Sequence, residues 1–168
     1  VKPATFGVDR EGTLAQKAFL EETFGDLLPV VLRSGTYGNN YLTQRVMRLM
    51  TMETFFLAMY DCPDQVHALM ALLRDNAERM ARWAEQEGLL AVNNGNQCTC
   101  GTCFNFTTQL PRRPVPTGQV KLTDMWSGMD SQETVGISPD LFHELIYPYY
   151  RDLAALYGWV YWGCCEPA

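Results

Sequence analysis

The sequence predicts an α/β fold with parallel strands, and three observations carry that expectation. Short, continuous apolar runs occur at 26–32, 89–92 and 159–162, without the alternation of a one-sided sheet, so they read as strands buried on both faces. Helical patterns with an apolar stripe separate them. Each run is followed by a polar cluster, as expected where parallel strands deliver their carboxyl ends to a site.

In chain order, Gly12-Thr13 can cap a helix reaching about Phe24, with Gly25 as its stop. Asp26-Leu27-Leu28-Pro29-Val30-Val31-Leu32 follows as the first strand, weakened by Pro29, which forfeits one ladder donor. Ser34 to Asn40 is a polar, glycine-bearing loop. Tyr41 to Met59 is rich in Met, Leu and Ala and reads as helix. Asp61 caps the next helix, with Pro63 in its first turn. Val66, Leu69, Met70, Leu73, Ala77, Met80 and Ala84 form its buried stripe and Gly88 ends it. Leu89-Leu90-Ala91-Val92 is a second strand, closed by Asn93-Asn94-Gly95-Asn96.

From Gly95 to about Thr123 no periodicity is visible, a loop length that in a compact domain points to function. Asp124 to Gln132 is a polar, glycine-broken stretch with an embedded tryptophan. Ser138-Pro139 opens the last helix, serine as cap and proline at its first position. Pro148 should kink or split that helix, and Gly158 closes it before the terminal strand. The whole chain, 1–168, reads as one domain.

A net charge of −6 and a pI near 4.8 exclude a phosphate-neutralising basic surface, so nucleic acid and anionic membranes are not expected partners. No apolar run approaches the ~20 residues of a membrane span, and the expected location is the cytoplasm. Six cysteines stand at 62, 98, 100, 103, 164 and 165. Their grouping favours metal binding or reactive thiols over a disulfide framework. Cys62 alone reads as a small buried hydrophobe.

Cys98, Cys100 and Cys103 place three thiols in six residues, although no fourth ligand lies nearby. Cys164 and Cys165 are adjacent, and adjacent strand residues point to opposite faces. One thiolate with Glu166 and outside ligands would suit a zinc ion that keeps an open position; two buried cysteines are the alternative. His67 and His143 lie on helices away from the strand ends, which leaves no Ser/His/Asp triad. Candidate catalytic residues are therefore Glu166, Asn93 and Gln132; candidate substrate contacts are Trp126, Asn94 and Tyr37; candidate metal ligands are Cys164 and Cys165.

The segment Ser138-Pro139-Asp140-Leu141-Phe142-His143-Glu144-Leu145-Ile146-Tyr147-Pro148-Tyr149-Tyr150 resembles the "SP..F.EF..PY" helix of the uroporphyrinogen decarboxylase superfamily, which includes cobalamin-linked methyltransferases. Asp61-Cys62-Pro63-Asp64-Gln65-Val66 is similar to that superfamily's helix pair. Asn93-Asn94, Asp124-Met125-Trp126, Ser131-Gln132-Glu133 and Cys164-Cys165-Glu166-Pro167 extend the likeness over nearly the whole chain, as an uncharacterised branch. The resemblance implies a (β/α)₈ barrel, which takes about 250 residues. The chain would then be a fragment of three to four βα units. Cys164 matches the cysteine of the methyltransferases' His-x-Cys zinc pair, whereas the histidine position holds Trp162.

The resemblance thus implies a lyase or corrinoid-linked methyltransferase acting on a small molecule, with zinc and a corrinoid carried by a partner protein as possible cofactors. The alternatives are a catalytically inactive half-barrel that persists by homo-oligomerisation through open sheet edges, or a corrinoid- or porphyrin-binding module. Whether this chain is itself an enzyme is left open by its sequence.

Overall fold

The structure, a computed structural model, describes residues 4–33, 38–96, 98–100 and 103–163, with backbone alone at 98–100 and 103. Its longest element is a helix at Pro63–Gln86, and this becomes α4 once the three helices before it are counted: α1 (Arg10–Phe24), α2 (Leu42–Met47) and α3 (Met52–Asp61). Pro63 stands in the first turn of α4, where its missing N–H costs nothing, and Asp64 complements the helix dipole there. The buried positions Val66, Met70, Ala77, Ala81 and Ala84 recur at helical spacing. Gly88, at φ +65°, then turns the chain out of the helix, in the left-handed region that favours glycine.

Two apolar clusters lie along α4. The larger joins Leu42, Val46, Phe55, Met59, Val66 and Met70 to Met129, Leu145, Ile146, Tyr150 and Leu153. The smaller joins Ala81 and Ala84 to Leu90, Val120, Leu122, Met125 and Tyr157. The helix expected over 41–59 is divided, and the 138–157 helix is split as Pro148 leads one to expect. The 41–59 stretch breaks where the Thr51 hydroxyl accepts from the Thr54 N–H and starts α3. The 138–157 stretch breaks at Ile146, between α5 (Pro139–Leu145) and α6 (Tyr147–Ala154), because Pro148 cannot continue the α5 hydrogen-bond pattern. Ser138 caps α5 as its sequence suggests, accepting from the Leu141 N–H at 3.2 Å.

The strands overturn the expectation of a partial (β/α)₈ barrel with three to four βα units. Among the described residues there are two separate two-stranded sheets. β1 (Cys98–Cys100) and β2 (Cys103–Phe104) pair antiparallel inside the stretch expected to be a loop. β3 (Trp126–Met129) and β4 (Trp159–Trp162) pair parallel, Trp126 opposite Trp159 and Met129 opposite Trp162. One further parallel contact is a single-residue bridge from Asn39 to Gly128. There the Gly128 N–H donates to Gly38 O and the Asn40 N–H to Gly128 O, both at 2.8 Å.

The two other expected strands do not form. The apolar run at 26–32 lies exposed, with Leu27 at 73% and Leu28 at 66% of full accessibility, and among the described residues it joins no sheet. Leu89–Val92 buries Leu90 against the smaller cluster without becoming a strand. α1 has no buried residue and attaches at its start, where Arg10 pairs with Glu87 and Phe6 meets the Trp83 ring. Its N-cap is Asp9, which accepts from the Gly12 N–H at 2.8 Å, three residues before the expected cap. No helix among the described residues is long and apolar enough to cross a membrane.

Candidate functional site at the carboxyl ends of the parallel strands

β3 and β4 run in the same direction, so their carboxyl ends, Met129 and Trp162, lie side by side. The chain leaving β3 there carries Asp130-Ser131-Gln132-Glu133-Thr134, and four of these five residues are held in place. Asp130 is buried and takes the Gln44 Nε2 at 3.3 and 3.4 Å from its two carboxylate oxygens. Its backbone carbonyl accepts from the Tyr150 hydroxyl at 2.6 Å. Ser131 and Thr134 share a hydroxyl–hydroxyl bond of 2.7 Å, and Glu133 accepts from the Thr43 hydroxyl at 2.7 Å.

Tyr150 organises this end of the molecule from below. Its hydroxyl accepts from the Thr43 N–H at 3.0 Å while donating to Asp130 O, which ties α2, α6 and the end of β3 to one oxygen. Burial pushes the Tyr150 hydroxyl's pKa up, against the lowering by its bonds from Thr43. Beside it, Asn40 Nδ2 donates to the Ser127 hydroxyl, which donates in turn to Gly38 O at 2.9 Å. Burial likewise raises the Tyr157 hydroxyl, while a bond from the Asn40 side chain and the Arg45 guanidinium oppose that rise.

Two cavities flank this buried strand end. One, about 480 Å³, is lined by Val135, Ile137, Phe142, Tyr147 and Trp162, with the Ser131 and Thr134 hydroxyls on its wall. The Trp162 ring meets Phe142 and Tyr150 edge-on, at centroid distances of 6.2 and 5.0 Å. The other, about 350 Å³, is lined by Asn39, Tyr41, Gln44, Arg45 and Arg48. Gln44 belongs to this second cavity and also holds Asp130, so the carboxylate stands one hydrogen bond behind its wall. An aromatic slot and a polar cationic one at the same strand end suit a small molecule with an apolar body and an anionic group.

The residues singled out from sequence are distributed differently. Asn93 spans the backbone of Trp126: its Nδ2 donates to Trp126 O and its Oδ1 accepts from the Trp126 N–H, each at 2.9 Å. Its amide thus replaces the strand partner that the 89–92 run does not supply. Asn94 Nδ2 donates to the carbonyls of Thr107 and Leu110, tying down the long connection. Both amides work at the entry to β3, whereas Asp130 is at its exit. Trp126 packs edge-on against Trp159 at 4.9 Å, with its indole N–H buried and unpartnered among the described residues. Gln132 opens the turn between Ser131 and Val135. The structure therefore brings Gln132 to the strand exit and leaves Asn93, Asn94 and Trp126 at the other end of β3.

Tyr37, Cys164, Cys165 and Glu166 lie outside the described residues, as do the side chains of Cys98, Cys100 and Cys103. Among the described residues no three His, Cys, Asp or Glu side chains gather as metal ligands. His67 bonds the Tyr149 hydroxyl at 2.7 Å, and His143 stacks on Tyr147. Asp130, Gln44 and Arg45 were not picked out from sequence. A signal for Asp130 was present, since a carboxylate immediately after Trp-Ser-Gly-Met becomes a strand-end residue once that tetrapeptide is recognised as a strand. No family model, curated protein or solved structure matches the chain.

Proposed function

We propose that the chain contributes the site of a small-molecule lyase, acting on an acid with an apolar or aromatic body at the carboxyl ends of β3 and β4. The observation that carries this reading is the buried Asp130 at the exit of β3, next in the chain to Ser131 on the wall of the aromatic cavity and held by Gln44, which lines the cationic one. The resemblance of Ser138–Tyr150 to the uroporphyrinogen decarboxylase superfamily supports lyase chemistry in particular.

In this reading the aromatic slot takes the body of the substrate and excludes water. Asp130 supplies the acid/base function. Loss of CO₂ from a carboxylate leaves an electron pair on carbon, and the proton that quenches it comes from the Asp130 carboxyl group. Gln44 keeps that carboxyl oriented through its Nε2. Methyl transfer is the second chemistry that the resemblance allows. It draws on Cys164, which lies outside the described residues.

The test is CO₂ release from a panel of aromatic monocarboxylates, comparing the chain with Asp130→Asn. Removing one acid/base group should lower turnover about 10²- to 10⁴-fold. Binding of the same acids should remain within a few-fold. Equal turnover in both proteins, or release from no member of the panel, would rule the lyase reading out.

A further inference from the structure

The second cavity has a feature that the lyase reading does not require. Arg45 and Arg48 line it together, one turn apart near the end of α2, in a chain whose net charge is −6. Arg10, Arg74, Arg82, Arg113 and Arg151 have carboxylates in reach, whereas Arg79 and Arg112 have none among the described residues but line no cavity with a second unpaired arginine. Arg45 and Arg48 form no salt bridge among the described residues. Arg45 is half-buried, and the Arg48 guanidinium and the phenols of Tyr150 and Tyr157 lie within electrostatic reach of it. Burial lowers its pKa, and the like charge of Arg48 lowers it further.

Two like-charged guanidinium groups one helical turn apart, one of them partly out of water, repel each other, and an anion between them relieves that repulsion. The other described lining residues are neutral: Asn39, Tyr41 and Gln44, whose amide Nε2 also donates to Asp130. Among the described residues no carboxylate lines the cavity to compete for the cations. The Arg fork matches the two oxygens of a carboxylate or phosphate, and about 350 Å³ leaves room for that group and a small body.

We infer that Arg45 and Arg48 form an oxyanion-binding site, taking the carboxylate or phosphate group of a small molecule. The site rests on Arg45 and Arg48, to which the lyase reading gives no role, and shares only the Gln44 wall with that reading. If it serves the lyase reading, it holds an acidic group other than the one that Asp130 acts beside.

Isothermal titration with inorganic phosphate and, separately, with succinate tests it on the full chain. At least one probe should bind, and Arg45→Gln and Arg48→Gln should each weaken it about tenfold or more, as loss of a charge-assisted bond does. Arg151→Gln, on the exposed face of α6, should leave affinity unchanged. Arg48 is itself exposed, so its substitution remains informative if Arg45→Gln disturbs folding. Binding of phosphate alone assigns a phosphorylated ligand, and binding of succinate alone assigns a carboxylic acid. No heat with either probe, or heat unchanged in both arginine variants, overturns the inference. Oxyanion binding that persists while Asp130→Asn leaves CO₂ release untouched would sink the lyase reading and keep this site.

Discussion

Tyr150→Ala is expected to destabilise the chain by about 3–5 kcal/mol, the range for truncating a buried aromatic ring. The ring is 1% exposed and lies in the larger cluster with Leu42, Val46, Met129 and Leu153. Tyr150→Phe separates packing from polarity, because it keeps the ring and removes only the hydroxyl. It leaves the Thr43 N–H and the Asp130 carbonyl without their partner in a buried setting, at a cost of about 1–3 kcal/mol.

The same hydroxyl gives a pH signature. Its folded-state pKa is raised above the ordinary 10.0 by burial. The stability it contributes is therefore fully present below pH ~10 and is lost as pH rises through the folded value. Urea melts should show a flat midpoint from neutral pH to about pH 10 and a decline above it, shallower in Tyr150→Phe. A decline of the same slope in both proteins would place the alkaline sensitivity elsewhere, Tyr157 being the next buried phenol.

Gly158→Ala is the second large effect. A Cβ at Gly158 would stand 2.3 Å from the Thr123 carbonyl oxygen and 2.9 Å from a Leu110 methyl. A backbone oxygen cannot rotate away as a side chain can, so the start of β4 must shift. The cost is roughly 3 kcal/mol, at the upper end for overpacking. In a chain of this length that lowers Tm by about 6–12 °C. Gly7→Ala, where nothing lies within 4 Å of the added atom, is the control and should melt with the parent. The displaced β4 would also carry Trp162 away from Phe142, so the variant should lose affinity at the aromatic cavity.

Helices were legible in the sequence where caps and apolar spacing agreed. α4 and the Ser138 start of α5 are the clearest cases, and a strand at 159–162 was anticipated, although its partner, β3, was not. Ser127 and Gly128 interrupt the apolar run that marks a buried strand, yet both are buried, because Ser127 satisfies its hydroxyl on Asn40 and Gly38 O. Conversely, 26–32 has the composition of a buried strand and lies exposed, since composition describes what a segment could bury and not whether a partner is present.

The barrel expectation failed on these two segments together. At the site, Asn93 and Asn94 looked chemical because amides after an apolar run suggest a pocket, and the structure uses both amides to bind backbone. Arg45 was hidden in a helix rich in methionine and leucine. Its isolation from carboxylates is a three-dimensional property that no local spacing records.

The most direct test of a ligand site at the strand ends is saturation-transfer NMR with indole-3-carboxylate, on the parent chain and on Trp162→Ala. The account predicts transfer to the indole protons in the parent. It predicts loss of that transfer in Trp162→Ala, with the helical circular dichroism of both proteins the same. Equal transfer in the two proteins, or none in either, would contradict a small-molecule site at the carboxyl ends of β3 and β4.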